Sequence, residues 1–177
     1  MNFQIDKSWT LFLDRDGVIN KKIDDGYVTQ WDDFSFLDGS LEAISRFNKK
    51  FGTIIVVTNQ RGVGRGIMTE KDLEYIHKRM IEQINYNDGR IDKIYCCTAL
   101  SDTASCRKPN IGMAYKALSD FPEIAFNKSI MVGDSISDII FGRKLGMLNV
   151  LINANGPSNH FESNKTFGSL YEFSLFI

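Results

Sequence analysis

Short apolar runs alternate with amphipathic segments along most of the chain. Five runs are rich in Ile, Val and Leu and are typical of buried strands: 9–13, 53–58, 91–97, 129–132 and 149–152. Between the runs, apolar residues recur at helical spacing, at Leu41, Ile44 and Phe47 and again at Leu73, Ile76, Met80, Ile81 and Ile84. This alternation predicts an α/β fold with a Rossmann-like parallel sheet and helices on both of its faces.

Two helix boundaries can be predicted from single residues. Thr69 with Asp72 three positions later forms a capping-box pattern at the start of the second helix. Gly146 follows a third predicted helix at 137–145 and is suited to end it. The tail at 153–166 is polar and predicts a loop, and the last residues, "SLYEFSLFI", predict a short element packed on the body.

Polar residues follow the predicted strands directly. Asp14 and Asp16 come after the first strand, Thr58 ends the second, and Gly133 with Asp134 follows the fourth. The carboxyl ends of parallel strands meet at one edge of a sheet, where ligands bind in such folds. We therefore expect these residues to converge.

The clustered carboxylates predict a cation site. Asp14 and Asp16 repel one another unless a cation or a proton lies between them, and Asp134 and Asp138, one helical turn apart, can add two more carboxylates. Hard oxygen ligands suit Mg²⁺, which usually shares its coordination with a substrate phosphate. The pattern predicts Mg²⁺ and an electrophilic phosphorus at this edge.

Composition and charge narrow the class of protein. The 177 residues are 43% hydrophobic and 24% charged, which predicts one domain spanning 1–177. A net charge of −1 lacks the excess of positive charge that is typical of nucleic-acid-binding proteins. No apolar run is long enough to cross a membrane. Without an export signal, we expect a cytoplasmic protein, monomeric or weakly homo-oligomeric, with its three cysteines reduced.

Four segments in order, "FLDRDGVIN", "VTNQRGVGRG", "CRKPNIGM" and "VGDSISD", resemble the motifs of the haloacid dehalogenase (HAD) superfamily of phosphohydrolases. "DRDGVIN", "DDGYV", "VTNQ" and "RKP" are similar to the subfamily, IIIA, that contains heptose-bisphosphate phosphatases and histidinol-phosphate phosphatases. The resemblance runs from about Thr10 to Ile152. It implies a HAD-like fold, and the short segment between the first two motifs leaves no room for a separate cap domain.

The resemblance also implies roles for the carboxylates. Asp14 is the expected nucleophile, and Asp16 is the expected acid for the leaving oxygen and then the base for water. Mg²⁺ would be held by Asp14, by the backbone carbonyl of Asp16 and by Asp134, with Asp138 binding through water or orienting other groups. Capping of a turn is the alternative role for Asp14 and Asp16, and favourable placement at a helix start is the alternative for Asp138.

The same resemblance implies a set of phosphate- and substrate-binding residues: Thr58, Asn59, Lys108, Arg65, Arg107 and Tyr27. Thr58 and Lys108 would hold the transferred phosphoryl group, and the arginines would contact the rest of a small phosphorylated sugar. A solvated loop side chain is the alternative for each arginine. His77 and His160 are expected to be solvated.

The cysteines depart from the resemblance. Relatives of the heptose branch carry a structural zinc on four ligands, but here only Cys97 and Cys106 occupy ligand positions, and Ala99 and Ala104 occupy the other two. Two thiolates are too few for a closed zinc site. We therefore predict that zinc is absent and that Cys96 is a small core side chain at the end of the strand.

The expected function is the Mg²⁺-dependent removal of the 7-phosphate from a heptose 1,7-bisphosphate, in a lipopolysaccharide or surface-layer precursor pathway. Three alternatives stay open. Two are other enzymes, a histidinol-phosphate phosphatase and a polynucleotide 3′-phosphatase, and the third is a phosphosugar-binding module without activity. Fold resemblance alone does not choose between substrates.

Overall fold

A computed structural model describes residues 4–153 and 163–177 of the chain. It is built around a six-stranded parallel sheet with the order β3-β2-β1-β4-β5-β6. The strands are β1 (Thr10–Leu13), β2 (Thr53–Asn59), β3 (Lys93–Cys97), β4 (Ser129–Gly133), β5 (Leu148–Ile152) and β6 (Lys165–Phe167). The predicted α/β class and parallel sheet are confirmed.

Six α-helices connect or follow the strands: α1 (Ser40–Lys50), α2 (Arg61–Gly64), α3 (Glu70–Tyr86), α4 (Gly112–Asp120), α5 (Ile136–Lys144) and α6 (Leu170–Phe176). Two short 3-10 helices lie at Trp31–Asp33 and Phe126–Lys128. The predicted capping box is present at the start of α3, where Thr69 accepts from the Asp72 backbone N–H and Asp72 accepts from Thr69. None of the helices described here has the length and apolar character needed to cross a bilayer.

Among the described α-helices and strands, three were not predicted from the sequence: α2, α4 and β6. The helix α2 is a single turn, and β6 has three residues and pairs only with β5 along the described sheet, so neither produces a periodic pattern. The terminal element is confirmed as α6. Residues 154–162 of the polar tail, including His160, lie outside the described residues.

Side chains alternate between two hydrophobic clusters on opposite faces of the sheet. Leu11 and Leu13 of β1 belong to one cluster, and Phe12 between them belongs to the other. All three are fully buried, as expected for a parallel strand covered by helices on both sides. Phe47 of α1 and Phe173 of α6 join the first cluster, with ring centroids 5.4 Å apart.

The strand order reverses beside β1 and brings the ends of β1 and β4 together. Leu13 pairs in register with Val56 of β2 and Val132 of β4, and the Asp14 backbone N–H donates to the Val132 carbonyl at 2.9 Å. Every residue between Asp16 and Thr58 is described, and the helices there are one 3-10 helix and α1. This segment does not form a second domain over the strand ends.

Candidate active site

Three carboxylates meet at this edge, two directly after β1 and β4 and one in the first turn of α5. Asp14, Asp134 and Asp138 each offer a carboxylate oxygen, and the three atoms lie within 4.8 Å of one another. The Arg15 backbone N–H donates to Asp14 Oδ1 at 2.8 Å and fixes the side chain beside the end of β1. The predicted convergence of the first and fourth strand ends is therefore present.

Two glycines permit this close approach. Gly17 has a φ of +87°, in the left-handed region that favours glycine, and a Cβ atom there would overlap the Asp134 carboxylate. A Cβ atom at Gly133 would overlap Asp138 in the same way. The sequence needs both glycines to let backbone and carboxylates share this space.

Lys108 lies buried at the centre of the cluster. Its Nζ is 2.9 Å from Asp14 Oδ1 and 2.6 Å from Asp138 Oδ1, and its side chain is 1% exposed. Burial alone would lower the pKa of Lys108, but the charges of Asp138 and Asp14 outweigh it and raise the pKa above the usual value. The side chain is therefore a fixed cation.

Asn59 holds the backbone of Lys108. Its side-chain amide donates to the Lys108 carbonyl at 3.1 Å and accepts from the Lys108 N–H at 3.0 Å. A cis peptide bond joins Lys108 to Pro109. The Asn59 side chain therefore holds the Lys108 backbone, and Asn59 also lines the cavity, so its predicted contact with substrate stays a prediction.

Both oxygens of Asp138 are engaged within the protein. Oδ2 accepts from the Ser135 N–H at 3.1 Å and the Ser135 hydroxyl at 2.6 Å, which forms a capping box at the start of α5, and Oδ1 faces Lys108. Asp138 is fully buried. It is therefore placed to orient Lys108, which agrees with one of the two roles expected for it, while Asp14 and Asp134 are better placed to be direct metal ligands.

The electrostatics of the cluster favour a bound cation. Burial raises the pKa of Asp14, an effect that Lys108 opposes and that Asp138 and Asp134 reinforce. Burial also raises the pKa of Asp134, although Lys22 lies 2.8 Å from its Oδ2 and acts against the shift. A divalent cation between Asp14 and Asp134 would relieve this repulsion, and carboxylate oxygens are the ligands that Mg²⁺ prefers. The residues present therefore fit Mg²⁺.

Asp16 is held by residues that the sequence analysis did not select. Asn20 donates to Oδ1 at 2.8 Å, Gln60 donates to Oδ2 at 2.8 Å, and Arg15 binds both oxygens. Burial alone would raise the pKa of Asp16, but the Arg15 charge and these hydrogen bonds hold it below the usual range. Gln60 also donates to Thr58 Oγ1 at 2.9 Å, so it links Asp16 to the end of β2. Asn20 ends the segment "FLDRDGVIN" and Gln60 lies in "VTNQRGVGRG", so the position of each amide beside an expected site residue is the sequence signal that could have identified it.

The cluster lines an open cavity of about 300 Å³. Eight of the residues selected from the sequence line it: Asp14, Asp16, Tyr27, Thr58, Asn59, Arg107, Lys108 and Asp134. The other lining residues are Lys22, Ile23, Gly26, Val28, Gln60, Ser135 and Ser137. Arg65 is not among the lining residues, and its guanidinium lies 5.8 Å from the centre of the Tyr27 ring. A larger, mainly apolar cavity of about 480 Å³ lies beside Ile130, Leu148 and Phe173, away from these carboxylates.

One exposed carboxylate joins two arginines at the rim of the cavity. Asp102 accepts from Arg107 Nε at 2.9 Å and also pairs with Arg61 of α2. Arg107 Nη1 is buried and makes no hydrogen bond among the described residues. Arg107 is therefore anchored on one side and has donor capacity left on the other.

Three sequence-based expectations are wrong. Cys97 and Cys106 form a disulfide with Cα atoms 5.4 Å apart, so the cysteines are not all reduced thiols. The loop between them turns back on itself, which brings together two residues that sequence spacing alone does not pair. His77 is not solvated, because Arg15 Nη1 lies 3.2 Å from its Nε2 and the ring is half-buried. Cys96 is a free thiol, but it is exposed and is therefore not the core side chain that the sequence predicted.

Comparisons with known proteins agree with this site. A family model described as polynucleotide kinase 3 phosphatase matches residues 10–174. The chain belongs to this phosphatase family. A D-glycero-alpha-D-manno-heptose-1,7-bisphosphate 7-phosphatase of Mycobacterium tuberculosis is 34% identical over 173 residues, which cover 96% of the chain and 91% of the relative. A D-glycero-beta-D-manno-heptose-1,7-bisphosphate 7-phosphatase of Helicobacter pylori is 35% identical, covering 83% of the chain and 84% of the relative.

A solved structure gives the same fold. The D,D-heptose 1,7-bisphosphate phosphatase from B. bronchiseptica, complexed with magnesium and phosphate, superposes with a TM-score of 0.83 at 28% identity, covering 94% of this chain and 96% of that chain. The resemblance to HAD phosphatases is thereby confirmed. The protein described here is therefore an enzyme, a phosphoric monoester hydrolase.

Proposed function

We propose that the protein is a Mg²⁺-dependent phosphatase that removes the 7-phosphate of a D-glycero-D-manno-heptose 1,7-bisphosphate. The observation that carries the proposal is the meeting of Asp14, Asp134 and the buried Lys108 in one open cavity. The relatives named above act on this class of sugar, and one of them was solved with magnesium and phosphate.

Asp14 is the nucleophile in this proposal. Its carboxylate attacks phosphorus to form an aspartyl phosphate, while Asp16 protonates the sugar oxygen that leaves. The negative charge of a bound phosphate favours the protonated form of Asp16, against the pull of Arg15. In the second half, Asp16 takes a proton from water, which attacks the aspartyl phosphate and releases inorganic phosphate.

The transferred phosphoryl group is held by one side chain at the end of β2 and one from the segment between β3 and α4. Thr58 offers its hydroxyl from the end of β2, and Lys108 offers a fixed ammonium. Asp14, Asp134 and the Asp16 backbone carbonyl would hold Mg²⁺, which supplies positive charge to the phosphate oxygens when bound. Asp138 contributes by keeping Lys108 in place.

The second phosphate of the sugar needs its own cations. Arg107 lines the cavity, and its anchored guanidinium suits bidentate contact with a phosphate. Tyr27 lines the same cavity with Arg65 over its ring. These residues are the proposed determinants of substrate choice.

The proposed enzyme is a single cytoplasmic domain that is monomeric or weakly self-associating and does not need zinc. No second domain rises over the strand ends within residues 16–58, so the loops around the cavity would set specificity. Nucleic acid is not the proposed partner, because the net charge of the chain is −1.

The test is phosphate release, with Mg²⁺ or with chelator, from both anomers of heptose 1,7-bisphosphate. Asp14→Asn is the control, and we expect it to lose at least about 10³-fold in turnover while its circular dichroism is unchanged. Unchanged activity in Asp14→Asn would overturn the mechanism.

Histidinol phosphate and a 3′-phosphorylated oligonucleotide complete the substrate set. The oligonucleotide is included because the description of the matched family is polynucleotide kinase 3 phosphatase. Faster release from either one than from both heptose anomers would overturn the proposed substrate and keep the mechanism. Ligand binding without release from any substrate would favour a non-catalytic module.

A further inference from the structure

A fully buried arginine stands between the two aspartates of the first motif. Arg15 has no exposed surface, yet it carries a permanent charge. Its Nη2 donates to both oxygens of Asp16, at 2.9 and 3.0 Å, and its Nε lies 3.2 Å from Oδ1. Burial of a charge is costly unless a partner compensates it, so this contact is the main reason that Arg15 can be buried.

His77 of α3 holds the other end of the same guanidinium. Arg15 Nη1 lies 3.2 Å from His77 Nε2, and arginine has only donors. Nε2 must therefore be the acceptor, and the ring must be neutral. Consistent with this, burial and the neighbouring Arg15 charge lower the pKa of His77 to about 3.

We propose that Arg15, anchored by the neutral His77 ring, is a positioning residue that fixes the Asp16 carboxylate in the orientation needed for proton transfer to the leaving group. The planar guanidinium connects two elements, the turn after β1 and the helix α3, through contacts at opposite ends. Asn20 and Gln60 complete the set of donors around Asp16. His77 itself is not among the residues that line the cavity.

The inference rests on the proposed phosphatase function and adds a role that acts through Asp16. A small rotation of a proton donor can cost a large part of its effect, because proton transfer requires hydrogen-bond geometry. Removal of the His77 acceptor leaves one end of the guanidinium free to move. The consequence should be confined to the step in which Asp16 donates a proton.

The test compares two substrates whose leaving groups differ in their need for a proton. A heptose bisphosphate leaves as a sugar alkoxide that needs protonation, whereas p-nitrophenyl phosphate leaves as a stable phenolate that needs none. The value of kcat/KM reports the steps through departure of the leaving group, so later hydrolysis of the aspartyl phosphate does not affect it. It is measured for wild type, His77→Leu, His77→Gln and the exposed control Lys78→Leu on the same helix.

For His77→Leu we expect kcat/KM to fall at least about tenfold with heptose bisphosphate and less than about threefold with p-nitrophenyl phosphate. His77→Gln, which restores an acceptor for Arg15, should recover most of the loss, and Lys78→Leu should match wild type. The same selective loss is expected for Arg15→Lys, which keeps the charge and loses the planar fork.

Equal losses on both substrates, or no loss, would overturn the inference. Circular dichroism and urea unfolding are measured first, and His77→Asn, whose amide is too short to reach Arg15, replaces His77→Leu if that variant does not fold. A wild-type protein that hydrolyses neither substrate overturns the proposed function, and the inference falls with it. Active wild type with equal losses in the variants overturns the inference alone.

Discussion

Lys108 Nζ lies 2.6 Å from Asp138 Oδ1, and neither side chain is more than 1% exposed. A buried ion pair of this kind leaves an uncompensated charge when one partner is removed. The pair also fixes the ammonium that faces Asp14. The pair therefore has two roles, in stability and in activity, and mutation of Asp138 tests both.

We predict that Asp138→Asn lowers the free energy of unfolding by about 3 kcal/mol and weakens inhibition by inorganic phosphate. Urea unfolding and inhibition assays measure the two effects. The matched control is Glu82→Gln, which removes the exposed pair with Arg79 and should cost less than about 1 kcal/mol. Equal effects of the two substitutions would contradict the role given to Asp138.

Gly17 is predicted to be required for metal binding as well as for stability. Gly17→Ala combines a positive φ with overlap of the Asp134 carboxylate, so we expect a loss of about 1–3 kcal/mol and weaker Mg²⁺ binding. Gly146→Ala is the control, because Gly146 has a φ of +72° and nothing within 4 Å of the added Cβ. It should lose stability without changing Mg²⁺ affinity, as measured by calorimetric titration. Equal Mg²⁺ affinities in wild type and Gly17→Ala would contradict the prediction.

Substitutions of Asp134 and of its ion-pair partner Lys22 are predicted to change the affinity for Mg²⁺ in opposite directions. A chelator should abolish activity, and Asp134→Asn should weaken Mg²⁺ binding at least about tenfold by removing a ligand. Lys22→Met should strengthen it by about threefold, because the Lys22 ammonium occupies Asp134 Oδ2. The Mg²⁺ dependence of turnover measures both, and shifts of the same sign would contradict the assigned geometry.

Stability is predicted to fall in mild acid because of His77. Its pKa is about 3 in the folded protein and about 6.5 in an unfolded chain, so the unfolded state binds the proton first and stability decreases as the pH falls below 6.5. From pH 7 to pH 5 the expected loss from this group is about 2 kcal/mol. Urea unfolding of wild type and His77→Gln measures it, and the variant should show the shallower pH dependence. Parallel pH curves would show that the pKa of His77 does not change on folding and would contradict the prediction.

The disulfide predicts how many cysteine thiols react in the unfolded protein. Unfolded without reductant, the protein should show one reactive thiol, Cys96, and after reduction it should show three. Elemental analysis should find no stoichiometric zinc, because Cys97 and Cys106 are paired with each other and Ala99 and Ala104 offer no ligand. Three thiols without reduction, or one zinc per chain, would contradict this account of the loop.

The main strands and the carboxylate cluster could be predicted because each depends on a local pattern. Runs of Ile and Val identify buried strands, and Asp14 and Asp134 stand directly after two of them. A parallel sheet then brings these ends to one edge, whatever the details of the loops. The sequence therefore predicts which residues meet at the end of the sheet.

Contacts between side chains of distant elements could not be predicted in the same way. Arg15 and His77 are 62 positions apart, and no periodic signal connects them. The pairing of Cys97 with Cys106 depends on a loop turn, and the use of Asn59 to hold Lys108 depends on the approach of two loops. Such contacts are set by tertiary geometry rather than by local propensity.

The neighbouring positions of β1 and β4 affect the order in which the protein can become active during synthesis. Asp14 is translated early, but Asp134 follows it by 120 positions and reaches it only when β4 has paired with β1. A ribosome-bound chain that has not yet exposed β4 therefore holds the proposed nucleophile without its metal site. Such a nascent chain would be catalytically silent, and Mg²⁺ could stabilise the enzyme only after β4 had docked.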